Sequence, residues 1–93
     1  MIKVYHKINF KPLNPNEVPT DIDMNDYELV AEVNTNNKDV AFDLTQNMDE
    51  SWSLNQNVTT KSEDARSTSV GDVVVYNGEF FIVDTYGWKS VKA

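Results

Sequence analysis

Residues 70–84 read Val70-Gly71-Asp72-Val73-Val74-Val75-Tyr76-Asn77-Gly78-Glu79-Phe80-Phe81-Ile82-Val83-Asp84, and this stretch decides the fold. Two runs of β-branched and aromatic residues flank Asn77-Gly78. Both members of that dipeptide tolerate positive φ, so it favours a type I′ turn. A two-residue loop also sets the register, placing Tyr76 opposite Glu79, Val75 opposite Phe80, Val74 opposite Phe81 and Val73 opposite Ile82. Apolar residues occupy both faces of this hairpin. It therefore belongs in the middle of a sheet covered on both sides and not at an edge. Just downstream, Tyr86-Gly87-Trp88 marks a bend, Trp88 closes one end of the sheet, and Lys89 to Ala93 supply a last short strand.

Working upstream, Ile2, Val4, His6, Ile8 and Phe10 alternate with Lys3, Tyr5, Lys7 and Asn9, the period of a half-buried strand. Pro12, Pro15 and Pro19 then remove backbone donors and make the next segment a loop. Tyr27, Leu29, Ala31 and Val33 alternate with Glu28, Val30 and Glu32 as a second strand. Asn34-Thr35-Asn36-Asn37 breaks it and offers N-caps, with Asn36 followed three residues later by Asp39. The pattern predicts a helix over 37–48, with Val40, Ala41, Leu44 and Met48 in one stripe. Phe42 lies off that stripe, so it meets a second layer or stays exposed. Residues 49–68 are polar, with Trp52, Leu54 and Val58 as isolated apolar points. Twenty structureless residues are unusual in so small a chain, so a short turn or strand is expected inside them. Together these readings predict one α+β domain over 1–93. Its small antiparallel sheet has four or five strands (about 2–9, 27–34, 72–77 and 79–85, with 88–92 as the fifth). One helix packs on one face, Val40, Leu44 and Met48 meeting Val4, Leu29, Val73 and Ile82.

With 93 residues the chain is sized for one domain, and 40% hydrophobic residues suffice for a core. The absence of cysteine excludes disulfides, thiolate zinc sites and thiol nucleophiles. No apolar run approaches the roughly 18 residues that cross a bilayer, and the alternating N-terminus is unlike a signal-peptide core, which points to a cytoplasmic setting without membrane contact. The net charge of −7 opposes direct binding to a phosphate backbone. That charge is uneven. Residues 1–16 carry Lys3, Lys7 and Lys11 and no acid, while residues 17–50 carry ten acids against Lys38 alone.

Several groups could carry chemistry. Asp21, Asp23, Asn25 and Glu32 fall at positions 1, 3, 5 and 12 of a Ca²⁺-loop pattern. Asp26 stands where that loop needs glycine, and a strand replaces the second flanking helix, so an acidic loop running into a strand is the better reading. His6 shares a face with Ile2, Val4 and Ile8 and reads as a satisfied core histidine. No triad, G-x-S-x-G or H-E-x-x-H motif is present, and three glycines cannot build a phosphate cradle. An enzyme, a cofactor and a bound metal are therefore not expected. The acidic middle third is either a solvated face or a surface for a basic partner, including one that otherwise binds a row of phosphates. Asp39, Phe42, Asp43, Asp49, Glu50 and Trp52 are the candidate protein-binding residues, the acids steering and the aromatics anchoring.

Two segments carry a resemblance. Ala41-Phe42-Asp43-Leu44-Thr45-Gln46-Asn47-Met48-Asp49 is followed by Trp52, and Arg66-Ser67-Thr68-Ser69-Val70-Gly71-Asp72-Val73-Val74-Val75 by Gly78, Tyr86, Gly87 and Trp88. The second, R-S-x-S-V-G-D-V-V, a hairpin, then glycine and an aromatic, resembles short acidic accessory proteins of phages and mobile elements and the YodL-like module. The resemblance covers about two thirds of the chain. It implies a small α+β domain borne by a virus or plasmid, in the host cytoplasm, and it passes on no catalytic residues. In physical terms, Ser67, Thr68 and Ser69 suit a turn, Gly71 its bend and Asp72 its cap. The fork of Arg66 could tie down carboxylates of the acidic third. The expected function is non-enzymatic binding of a host protein with a basic surface, of the host-takeover or anti-defence kind. A structural or oligomer-forming domain, such as a homodimer, and a divalent-metal-binding domain are the alternatives.

Overall fold

A computed structural model describes residues 1–11, 13–14, 17–46, 58–60, 66–85 and 87–93. Among these, six strands form one antiparallel sheet with a single α-helix: β1 (Ile2–Lys7), β2 (Tyr27–Val33), α1 (Lys38–Leu44), β3 (Val58–Thr60), β4 (Val73–Tyr76), β5 (Glu79–Asp84) and β6 (Gly87–Val91). A single 3-10 turn, Met24–Asp26, precedes β2. The strand order is β3-β2-β1-β4-β5-β6. The α+β class holds, but the sheet has six strands where four or five were expected. The added strand is β3, built around the isolated Val58, which is buried beside Val33. A short turn or strand was expected inside 49–68, and three residues are too few to display the alternation that would have fixed its place.

The 70–84 hairpin sits where its two apolar faces require. β4 lies between β1 and β5, and β5 between β4 and β6. All four pairs, Val73 with Ile82 through Tyr76 with Glu79, have the expected register. Asn77 (φ 51) and Gly78 (φ 77) are both left-handed, as a type I′ turn demands.

Each face of the sheet buries its own core. On the helical face, Ile2, Val4, Val30, Ala31, Val33, Val58 and Val74 pack under Ala41, with Leu44, Phe81 and Trp88 at the margin. On the other face, Tyr27, Val73, Ile82 and Val91 are covered by Val18, with Ile22 and Met24 beside it. The segment 18–24 is thus the lid of a second core. It also adds to the sheet: Ile22 N–H donates to the Lys92 carbonyl at 2.8 Å and Lys92 N–H to that of Thr20 at 3.0 Å, shielding the end of the β6 edge. The expected contacts of the helix with Val73 and Ile82 are corrected accordingly, because those residues serve the opposite face.

β2 changes face part-way. Val4 pairs with Ala31 but Tyr5 with Leu29, leaving Val30 as the extra residue of a bulge. The bulge lets Tyr27 face the loop-covered core while Val30, Ala31 and Val33 face the helix.

The helix is shorter than expected and begins one residue later. Asn37, not Asn36, is the N-cap, its side chain accepting from Asp39 and Val40 N–H. Asn36 Oδ1 instead accepts from the N-terminal amine at 3.2 Å. At the other end, Thr45 Oγ1 bonds back to the Ala41 carbonyl at 2.9 Å and Gln46 Nε2 donates to those of Phe42 and Thr68. Side chains take up the last carbonyls and the helix stops at Leu44. Val40 is exposed, against the expected stripe, and Ala41 is the helix's buried residue. Met48 lies outside the described residues.

Candidate functional site

Two groupings of polar side chains flank the helix, one buried and one open. The buried grouping is built on the Arg66–Asp72 segment. Asp72 is fully buried, and its carboxylate accepts from Arg66 Nη1 at 2.6 Å and Nη2 at 2.7 Å, Lys7 N–H at 2.9 Å and Ser69 N–H at 2.8 Å. Two charged and two backbone donors meet one carboxylate, the arrangement that makes a buried ion pair tolerable. Arg66 also lies over the Phe10 ring, 3.8 Å from its centre. The arginine thus pairs within its own motif, with Asp72.

Beside this pair, His6 is buried on the helical face, and its Nε2 stands 2.9 Å from Thr68 Oγ1. The direction of the chain follows from its far end. Thr45 Oγ1 meets carbonyls of Ala41 and Phe42 and so donates; Thr68 Oγ1, 2.7 Å away, donates to Thr45 and therefore accepts from His6 Nε2–H. Burial lowers the His6 pKa from 6.5 to about 4, opposed by Asp72 at 3.9 Å and reinforced by Arg66. The ring is neutral at pH 7 and ties β1 to the Thr68 loop and, through Thr45, to α1. That is the core role read from its place between Val4 and Ile8. No buried side-chain nitrogen or oxygen among the described residues lacks a partner.

The open grouping lies at the other side of α1, where the helix meets the β5–β6 turn. Asp39, Phe42, Val83, Asp84, Thr85, Gly87 and Trp88 line a cleft of about 220 Å³. Phe42 meets Trp88 edge-to-face with ring centres 6.4 Å apart. Trp88 Nε1–H donates to Asp39 Oδ1 at 2.9 Å. Asp84 Oδ1 accepts from Thr85 N–H at 2.7 Å. Each carboxylate thus has one oxygen engaged inside the fold, and the other makes no hydrogen bond to the described residues. Lys38, the neighbour of Asp39, is turned onto the Phe81 ring at 4.2 Å.

The structure brings Asp39 and Phe42 together in this cleft, with exposed Asp43 one helical turn from Asp39. Asp49, Glu50 and Trp52 lie outside the described residues. Asp84 and Trp88 are the cleft residues that sequence reasoning missed. The signal was the short β5–β6 turn, which returns Trp88 beside Val83 and sets Gly87 opposite Asp84.

The Ca²⁺-pattern residues are dispersed by local structure. Asp23 caps the 3-10 turn through Asn25 N–H at 2.9 Å, and Glu32 stands within β2 opposite Thr59. No helix among the described residues is long and apolar enough to cross a membrane.

No family model matches the chain, and neither curated proteins nor solved structures yield a match.

Proposed function

We propose that this chain is a non-enzymatic binding domain that docks on the basic surface of a partner protein through the α1/β5–β6 face. The observation that carries it is the cleft itself, where two aromatic rings and two carboxylates share an opening with no cation among the described residues that line it. Aromatic residues in partly desolvated pockets are the usual anchors of interfaces, and surrounding acids steer a basic partner. The ten acids of residues 17–50 support that steering. A non-catalytic reading is favoured because the single histidine is buried and spent on Thr68. The resemblance to phage and mobile-element accessory proteins supports a host protein as the partner, met in the host cytoplasm as a host-takeover or anti-defence target.

The test is capture from bacterial lysate on the immobilised protein, then binding kinetics with the purified partner. Asp39→Lys with Asp43→Lys should slow association, and wild-type association should slow as salt shortens the Debye length below ~10 Å. Phe42→Ala should shorten the lifetime of the complex, a central anchor being worth roughly 2 kcal/mol or more. Capture that survives both variants unchanged rejects this face.

One observation favours self-association as a second reading. Ile8 and Phe10 are exposed among Lys7 and Lys11 of the basic N-terminal segment, an apolar patch of opposite charge to the acidic face. A homodimer or longer assembly through these surfaces would show as concentration-dependent sedimentation lost in Phe10→Ser.

A further inference from the structure

The cleft also suggests what it holds, an inference that rests on the docking reading above. The chain displays one complete example of how it binds a guanidinium. Arg66 lies over an aromatic ring, Phe10, its Cζ 3.8 Å from the ring centre, while its fork meets the carboxylate of Asp72. Ring face and carboxylate act together there. Stacking satisfies the weakly hydrated plane of the cation, and the carboxylate takes its in-plane N–H groups. At the α1/β5–β6 cleft the same two components recur, with no cation among the described residues that line it. Phe42 and Trp88 supply the rings, and Asp39 and Asp84 each keep one carboxylate oxygen outside the internal hydrogen bonds. The two basic neighbours in sequence are engaged elsewhere, Lys38 over the Phe81 ring and Lys89 on the Val18 carbonyl, and neither lines the opening.

We propose that this cleft takes the side chain of an arginine from the partner protein, packed against Trp88 and Phe42 and paired with Asp39 and Asp84. Arginine fits better than lysine, because a planar fork can stack and bridge two carboxylates, whereas an ammonium is a compact, strongly hydrated charge. The indole of Trp88 is fixed for this role by its own bond to Asp39, so the ring and the charge are positioned together.

The experiment follows the indole N–H signal of Trp88 by NMR, separated from that of Trp52 with Trp52→Phe, while N-acetyl-arginine methylamide is added. A saturable shift with a midpoint of roughly 1–10 mM is expected for so small a probe. The neutral isostere N-acetyl-citrulline methylamide should give none. Asp39→Asn keeps an oxygen for Trp88 and removes the charge; it and Asp84→Asn should each raise the midpoint about threefold or more. No shift, or an equal shift with the citrulline probe, overturns the proposal. Tighter binding of the lysine analogue or of tetramethylammonium overturns the assignment to arginine. If the arginine probe fails while Phe42→Ala still releases the purified partner, the inference falls and the docking face stands. A bound arginine probe, with a partner indifferent to Phe42→Ala, supports the cleft's preference and rejects the docking face instead.

Discussion

Thr68 passes a hydrogen-bond chain from a strand to a helix with a single oxygen, accepting from His6 and donating to Thr45. Because the His6 ring must stay neutral to be buried there, folding competes with its protonation. The unfolded chain binds this proton below its ordinary value of 6.5, the folded chain only below about 4. Between those values the unfolded state holds more protons, so stability rises with pH. The contribution is complete above pH 6.5 and is lost as pH falls toward 4, about 3 kcal/mol in all. The stability read from urea unfolding should therefore rise from pH 4.5 to 6.5 and level off by pH 7 in the wild type, and rise less in His6→Gln; equal rises would reject a buried neutral ring. The neighbouring ion pair calls for a different measurement. A double-mutant cycle with Arg66→Ala and Asp72→Ala should give a coupling of roughly 1–3 kcal/mol, beyond the usual yield of a surface pair. A coupling near zero would mean that Asp72 is held by the Lys7 and Ser69 N–H groups alone.

At the scale of the element, two glycines hold two different turns. Gly78 closes the β4–β5 hairpin at φ 77, and nothing stands within 4 Å of where a Cβ would project. Its substitution is penalised by backbone strain alone, so Gly78→Val should cost somewhat more than 1 kcal/mol. Gly71, at φ 98, precedes β4, and a Cβ there would come within 2.9 Å of Leu13 Cδ1. Its carbonyl also accepts from the Tyr27 hydroxyl at 3.0 Å, fixing β2 to the turn. Gly71→Ala should thus lower the melting temperature more than Gly78→Ala does, although the side chain added is the same. The reverse order would displace the Leu13 contact from the argument. The hairpin was legible in the sequence because Asn77-Gly78 and its flanks settle turn and register within ten residues. The helix end was not, because Thr45 and Gln46 stop α1 by bonding partners that include Thr68, 22–23 residues away.

For the molecule as a whole, charge and core are separable. Asp39 and Asp43 are exposed on α1, while the cores beneath are apolar on both faces of the sheet. Reversing both to lysine changes the net charge by four, from −7 to −3, which relieves self-repulsion in a strongly acidic chain. Asp39→Lys also removes an exposed acceptor for Trp88, so the two effects oppose each other. The doubly reversed protein should melt within a few degrees of the wild type, surface changes being usually within about 0.5 kcal/mol each. Phe42→Ala should cost about 1–2 kcal/mol, as befits a half-buried ring with one aromatic neighbour. A collapse in melting temperature with Phe42→Ala would make that ring part of the core and remove it from the docking face.

By itself the sequence determined the α+β class, the central two-faced hairpin, the first two strands, the buried histidine and the uneven charge. Each is written in neighbouring residues, as an alternation, a turn dipeptide or a run of one sign, and local periodicity needs no knowledge of the rest of the chain. Only the tertiary structure decided that Val30 bulges out of β2, that β3 completes the sheet, and that Val18, Ile22 and Met24 cover the second face. It alone also gave Arg66 to Asp72 and brought Asp84 and Trp88 to Asp39 and Phe42. Those outcomes depend on segments up to 72 residues apart, such as Asp26 of the 3-10 turn reaching Ile8 or Met1 reaching Asn36, at the near end, and Lys92 reaching Thr20 and Ile22 at the far end. Isolated apolar residues such as Val18 and Val58 have no period to announce them. Their burial follows from the surface that the hairpin leaves open, and that surface exists only once the sheet has assembled.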